Sequence, residues 1–426
     1  MVSELGPIDR QRCLELDRAD PLAGLRDQFT IINGLIYLDG NSLGPLPAAT
    51  PARVQEAMSI EWGRDLISSW NIHDWMQLPA KTGNKIAALV GAGDNELIVA
   101  DSTSVNLFKV LSAAAQIVRR DAPGRTEIVS ERLNFPTDLY IAQSVALANG
   151  LTLRLVDLDP DAGVAAVLDD ATAIVLFTHV DYRTGRMHDM ADVTDTAHAA
   201  GALMVWDLAH SAGAVPVDLT AADADFAIGC GYKYLNGGPG APAFVWVNPR
   251  YVTEPQPLRG WLGHAAPFEF SPEYRPAAGI LGYQCGTPPI LSMVALECGV
   301  DTVLAAESHG GMTALRAKSL ALTSMMMELL APVGSAHGLR IVTPAEPSVR
   351  GSQVSFSAPK GAYSMVQALI ARGVIGDFRA PDIARFGCVP LYTRFVDIWD
   401  AVEHIRAVLD SGEWREPRFA ARLAVT

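Results

Sequence analysis

The hydrophobic positions fall into short runs separated by longer stretches in which apolar residues recur at helical spacing. Between residues 51 and 250 the runs lie at 96–100, 127–130, 151–156, 173–177, 202–206, 226–228 and 243–247. Runs this short and this continuously apolar read as strands buried on both faces, with helices between them. The alternation predicts an α/β architecture built on a mainly parallel, doubly wound sheet. Upstream, residues 1–35 read as a helix and an arm, and 35–39 as a short strand before the turn Gly40-Asn41-Ser42-Leu43-Gly44-Pro45. Downstream, a Pro/Gly-rich stretch with aromatics at 255–289 is too long for a simple linker and is expected to wall a ligand site. Residues 291–306 read as a long helix, and 310–426 as a second lobe of helices with a few strands, one of them at 353–357. The predicted division is an N-terminal arm that contributes to a small domain (1–50), a large domain (51–300) and a smaller C-terminal α+β domain (301–426).

The 426-residue chain carries 33 basic against 47 acidic side chains, a net charge of −14, which argues against nucleic acid or an anionic membrane as its main partner. Five cysteines without a CxxC pair fit a reducing compartment and supply no metal site. Cys230 and Cys388 read as small apolar packing residues. The start, Met-Val-Ser-Glu-Leu-Gly-Pro, lacks the basic and apolar regions of a signal peptide, so the expected location is the cytoplasm. The longest apolar runs fall far short of the ~20 residues of a spanning helix.

Two residues change the picture. Asp207 ends the apolar run of Gly-Ala-Leu-Met-Val-Trp-Asp-Leu-Ala-His (201–210), and Lys233 follows the next run within Gly-Cys-Gly-Tyr-Lys-Tyr-Leu-Asn-Gly-Gly-Pro-Gly (229–240). In an open α/β sheet, ligands bind at the carboxyl ends of strands, where both residues fall. Taken singly, an Asp after a strand is often a helix cap, and a Lys in a glycine-rich loop is often a solvated charge. Together, with His210 one turn beyond the Asp, they point to pyridoxal 5'-phosphate (PLP). That cofactor needs a lysine for its Schiff base and a carboxylate to keep its pyridine nitrogen protonated. The segment Glu-Leu-Ile-Val-Ala-Asp-Ser-Thr-Ser-Val-Asn-Leu-Phe-Lys-Val-Leu (96–111) is a strand, a hydroxyl-rich turn and an amphipathic helix. Its helix start, with Thr103 and Ser104, is suited to a phosphate, and is otherwise an ordinary N-cap. In Leu-Asn-Phe-Pro-Thr-Asp (133–138), Phe135 is placed to stack on a flat ring and Asp138 to bond a ring substituent, although a Phe-Pro turn is often purely structural.

Leu-Asp-Gly-Asn-Ser-Leu-Gly-Pro (38–45), Asn-Phe-Pro-Thr-Asp (134–138), Val-Trp-Asp-Leu-Ala-His-Ser-Ala-Gly (205–213), Gly-Tyr-Lys-Tyr-Leu-Asn-Gly-Gly-Pro-Gly (231–240), Arg-Gly-Trp-Leu-Gly-His (259–264) and Val-Pro-Leu-Tyr (389–392) together resemble kynureninase. The resemblance covers about residues 35–395, with the motifs in order. It implies the PLP-dependent transferase fold (fold type I) and hydrolysis of L-kynurenine to anthranilate and L-alanine. Lys233 would then carry the cofactor and act as general base, Asp207 would pair with the pyridine nitrogen, His210 would lie beneath the site, and Phe135 would pack on the ring. Thr103, Ser104 and Tyr232 would hold the phosphate, with Tyr232 also a candidate for proton transfer. Asp138, Thr178, Trp261 and Thr287 would complete the surroundings. Trp261 and Thr287 reach the phosphate from the partner subunit in that family, which implies a homodimer with shared sites.

Ser42 and Arg385 match substrate-binding positions, Arg385 as the planar fork for the α-carboxylate, with Arg379 close enough in sequence to compete for that role. Trp62 and Thr287 stand where animal kynureninases favouring 3-hydroxykynurenine carry histidine and asparagine, so unsubstituted kynurenine is the expected preference. The alternative for Trp62 is a core position on a helix face. The same fold serves cysteine desulfurases and selenocysteine lyases, which need a nucleophilic cysteine on a mobile loop. Cys388, between Gly387 and Val389 before an apolar run, reads instead as buried.

Overall fold

The computed structural model describes residues 8–159, 163–358 and 360–423. Thirteen strands occur among them. The first, β1 (Ile36–Tyr37), is followed by seven that form one sheet: β2 (Leu97–Val99), β3 (Glu127–Glu131), β4 (Thr152–Val156), β5 (Thr172–Thr178), β6 (Leu203–Asp207), β7 (Phe226–Gly229) and β8 (Phe244–Val247). The sheet order is β2-β8-β7-β6-β5-β3-β4. Only β8 runs against its neighbours, β2 and β7, so the other six share one direction and their carboxyl ends share one edge. Every residue of β5, β7 and β8 is buried, as continuous apolar strands between two helical layers require.

The remaining strands are β9 (Arg340–Ile341), β10 (Gln353–Ser357), β11 (Val374–Ile375), β12 (Asp377–Arg379) and β13 (Ile383–Gly387). An antiparallel sheet of order β12-β13-β10-β9 backs a separate apolar core that includes Leu322, Met326, Phe356, Val366, Phe386 and Ile405. Strand β1 leaves the N-terminal segment to pair in parallel with β11, and Cys13 and Leu38 join the same core. The turn after β1 then packs on the Lys233 loop. Gly44 N–H donates to Tyr232 O at 2.8 Å, and a side chain at Gly44 would meet Lys233 O and the Asn236 backbone at 2.6 Å, so only glycine fits.

The helix Gly311–His337 is long and apolar enough to cross a membrane by length and composition, although no single run in the sequence is. It buries Leu315, Leu322, Met326, Leu330 and Val333 within the protein, and its Lys318 pairs with Asp20 at 2.7 Å. These are the marks of a core helix.

Candidate active site

Register along the sheet places Thr178, the last residue of β5, directly beside Asp207, the last residue of β6. One strand further on, β7 ends at Gly229 and the chain turns to present Lys233. On the far side, β2 runs into the helix Thr103–Asp121, whose N-cap is Ser102 in extended conformation; Val105 N–H donates to Ser102 Oγ at 3.4 Å. These ends surround a pocket of about 230 Å³ lined by Thr103, Ser104, Phe135, Asp138, Thr178, Asp207, His210, Tyr232 and Lys233, together with Ser102, Thr137 and Tyr182. Nine of the expected site residues thus face one cavity.

Lys233 Nζ lies 3.0 Å from His210 Nε2 and 5.8 Å from the centre of the Phe135 ring. Burial, and then the positive charge of Lys233, hold the His210 imidazole well below its usual pKa, so it is neutral and can accept a hydrogen bond from the lysine. Asp207 is buried, and its Oδ1 accepts the Ala209 N–H at 2.7 Å. The cap and the cofactor ligand are therefore compatible readings of one carboxylate. Burial raises the Asp207 pKa, while Lys233 and the Ala209 N–H oppose the rise. Asp138 is buried beside it; desolvation and then the Asp207 charge push Asp138 well up. The pair is best described with one proton on Asp138, donated towards an ionised Asp207.

Asn134, quoted in the sequence only as part of a motif and given no role there, and Tyr182, which was not singled out, also shape the site. Asn134 Oδ1 accepts from Thr178 Oγ1, and its Nδ2 donates to Ser130 Oγ at 3.1 Å, which fixes Thr178 against the cavity. Tyr182 stands edge-on to Phe135 with ring centres 5.3 Å apart. Its carbonyl takes a 2.6 Å hydrogen bond from Arg385 Nη1.

Arg385 and Ser42 do not line the pocket but stand behind Tyr182. Arg385 is 1% exposed and engages four of its five N–H groups: besides the Nη1 bond to Tyr182, Nε donates to Asp377 Oδ1 at 2.9 Å, and Nη2 donates to Asp377 Oδ2 and to Ser42 Oγ, the latter at 2.8 Å. Arg379, its side chain 33% exposed, shares Asp377 Oδ2 at 2.8 Å and Ser42 Oγ at 3.2 Å. Both arginines therefore converge on Asp377, which the sequence reading did not single out; the visible sign is its position two residues before Arg379 on one strand face.

Trp62, Trp261 and Thr287 lie at the surface outside this pocket. Trp62, the last residue of the helical segment Ala57–Trp62, is 57% exposed, so it is not a core residue. Nor does any described residue of 255–289 line this cavity, contrary to the expected wall. The stretch is instead tied to the helix Thr103–Asp121: the buried Lys109 donates to Tyr283 O at 2.6 Å and to Asn106 Oδ1 at 3.1 Å, and pairs with Asp101. Cys388 is fully buried against Met326 Sδ at 3.9 Å, and burial pushes its thiol up to about 12.

The pocket passes the test for PLP on its own geometry. It offers an amine, a buried carboxylate at a strand end, a capped helix start with two further hydroxyls, and an aromatic face around one cavity. The fold agrees. A cysteine desulfurase from Thermococcus onnurineus NA1 superposes with a TM-score of 0.76 at 19% identity, covering 91% of this chain and 98% of that one. A second solved structure, C-DES carrying glycine linked to its PLP cofactor, gives 0.76 at 19% identity over 90% of this chain and 98% of that one. Fold and site together define a PLP-dependent enzyme of fold type I. Residues 315–405 match the family described as "Kynureninase C-terminal domain". A kynureninase of Burkholderia mallei (strain SAVP1) is 55% identical over 420 residues, 98% of this chain and 99% of that protein. The chain belongs to the kynureninase family, PLP-dependent hydrolases that act on kynurenine.

Proposed function

We propose that this enzyme prefers L-kynurenine to 3-hydroxykynurenine, works in the cytoplasm, and does so as a homodimer whose two sites each draw Trp261 and Thr287 from the partner. The preference rests on one observation: Trp62 projects from the surface at 57% exposure instead of packing inward, so it is free to face a ligand across a subunit boundary. The dimer is supported by the apolar side chains that segments 58–72 and 258–281 leave exposed, among them Ile67, Phe268 and Phe270. The five cysteines are unpaired, as a reducing cytoplasm requires.

When bound, PLP supplies a Schiff-base carbonyl and an electron sink. Lys233 would take up the substrate's α-proton, and the neutral His210 at 3.0 Å accepts a hydrogen bond that positions its amine. Asp207 supplies the negative charge that keeps the ring nitrogen protonated, and Asp138, itself protonated, steadies it. Tyr232, whose hydroxyl burial keeps protonated, is the candidate donor of a proton to the substrate's β-carbon, which keeps the bond's electron pair when the aryl carbonyl, having taken up water, leaves as anthranilate. Thr103 and Ser104 hold the phosphate at the helix start. Arg385 and Ser42 receive the α-carboxylate. Among the described residues no cysteine lines the pocket to serve as the nucleophile of desulfurase chemistry, and Cys388 is enclosed with its thiol kept protonated.

The test is the ratio of kcat/KM for kynurenine and 3-hydroxykynurenine in the native enzyme and in a Trp62→His, Thr287→Asn double variant. A hydrogen bond restored to the ring hydroxyl should move the ratio roughly tenfold towards the hydroxylated substrate. A native preference for 3-hydroxykynurenine, or an unmoved ratio, refutes the assignment.

A further inference from the structure

Behind the substrate pocket the turn following β1 carries a carboxyl group that the roles above leave unused. Asp39 sits in a cluster with Asp377 and Arg379 of β12, Arg385 of β13, Ser42 of its own turn, and the phenols of Tyr37, Tyr234 and Tyr392. The Asp377 carboxylate and the Ser42 hydroxyl both act on this carboxyl, the first raising its pKa and the second lowering it. Among the described residues its buried Oδ1 has no hydrogen-bond partner. Asp377 is the opposite case: both its oxygens are taken by guanidinium, and although burial alone would raise its pKa, Arg385 holds it low. Of two neighbouring carboxyl groups, one gripped by arginines and the other short of donors, the second is the one that keeps a proton.

The charge count gives this proton a consequence. With Asp39 neutral, Arg379 and Arg385 against Asp377 leave the cluster at +1, matched to one incoming carboxylate. With Asp39 ionised, the cluster is already neutral and a further anion enters against two negative charges. The same cluster is felt inside the pocket, where the charges of Arg385 and Arg379 act on His210.

We propose that Asp39 is a positioning residue that sets the charge of the arginine pair receiving the substrate's α-carboxylate, admitting the anion when protonated and opposing it when ionised. This rests on the reading of Arg385 as the carboxylate-binding group. Burial, and then the Asp377 charge, raise Asp39 to about 7, so the switch lies in the working range of a neutral-pH enzyme. The sign is fixed. As pH rises through that value Asp39 loses its proton, and affinity for an anionic substrate falls.

The experiment measures KM for kynurenine from pH 6 to 8 in the native holoenzyme and in Asp39→Asn, together with the dissociation constant of L-alanine from the cofactor's absorbance change. Native KM and alanine Kd should climb over this range by up to about tenfold, the limit that one linked proton with a pKa of about 7 sets. Asp39→Asn, an uncharged mimic of the protonated form, should show neither rise and should bind more tightly than the native enzyme at pH 8. A merely structural role would not tighten binding. A rise of the same size in Asp39→Asn overturns the proposal. If that variant does not fold, native KM and alanine Kd decide, and flat profiles overturn it. Arg385→Lys separates the two readings. If it leaves KM unmoved, the carboxylate assignment has failed; if it raises KM while Asp39→Asn keeps the native pH limb, only the role of Asp39 has failed.

Discussion

The two arginines compete for the α-carboxylate, and their surroundings predict different responses to one conservative change. Lysine keeps the charge of arginine but replaces the planar fork with a point donor. At Arg385 the fork spans Asp377 through two nitrogens, Ser42 at 2.8 Å and Tyr182 O at 2.6 Å, in a position 1% exposed. An ammonium there cannot reach all three partners and a substrate carboxylate as well. Losing a single charge-assisted hydrogen bond to the substrate costs about 1.5–3 kcal/mol. At about 1.4 kcal/mol per decade, Arg385→Lys should therefore raise KM by roughly 10- to 100-fold. At Arg379 the side chain is one-third exposed, and water can substitute for its lost donors. Arg379→Lys should therefore shift KM by less than about threefold. The assay is initial-rate anthranilate fluorescence over a range of kynurenine concentrations, with thermal melts to confirm that both variants are folded. A KM for Arg385→Lys within threefold of native, or a larger rise in Arg379→Lys, would refute the assignment and exchange the two roles.

Asp207→Asn should still bind PLP, because an asparagine side-chain oxygen can accept the Ala209 N–H, yet turnover should fall by at least ~100-fold as the ring nitrogen loses its counter-charge; near-normal turnover with bound cofactor would reduce Asp207 to a cap. Shared sites make a separate prediction. Lys233→Ala and Thr287→Glu should each be inactive, and after subunit exchange about a quarter of the native sites should reappear in hybrid dimers, since half of randomly mixed dimers are hybrid and one of their two sites is intact. No recovery after exchange verified by mass spectrometry would place Thr287 outside the partner's site.

What the sequence made legible follows from where its information lies. Asp207 stands out because it ends a continuous apolar run and Lys233 because it follows the next one in a glycine-rich turn, and the pairing of Thr178 with Asp207 turns two strand ends into one wall of a pocket. Strand positions were readable to within a residue or two because β5, β7 and β8 are buried throughout. The reversal of β8 was not, since an antiparallel strand buried on both faces has the same composition as a parallel one. Polar networks were harder for a different reason. Ser42 and Arg385 are separated by 343 positions and meet only because β1 crosses to pair with β11. Asp377 reads in sequence as an ordinary acidic residue, and Asn134 as part of a turn; their partners come from other segments. Lys109 sits on an amphipathic helix where a lysine usually faces solvent, and it is buried because Asp101 and Tyr283 O compensate its charge. The apolar positions report which face of an element is buried, and that is a local property. Which donor meets which acceptor is settled by the fold as a whole. In this chain the cofactor's position could be read from strand ends, whereas the charge balance around the substrate's carboxylate emerges only when the N-terminal turn and the C-terminal sheet are brought together.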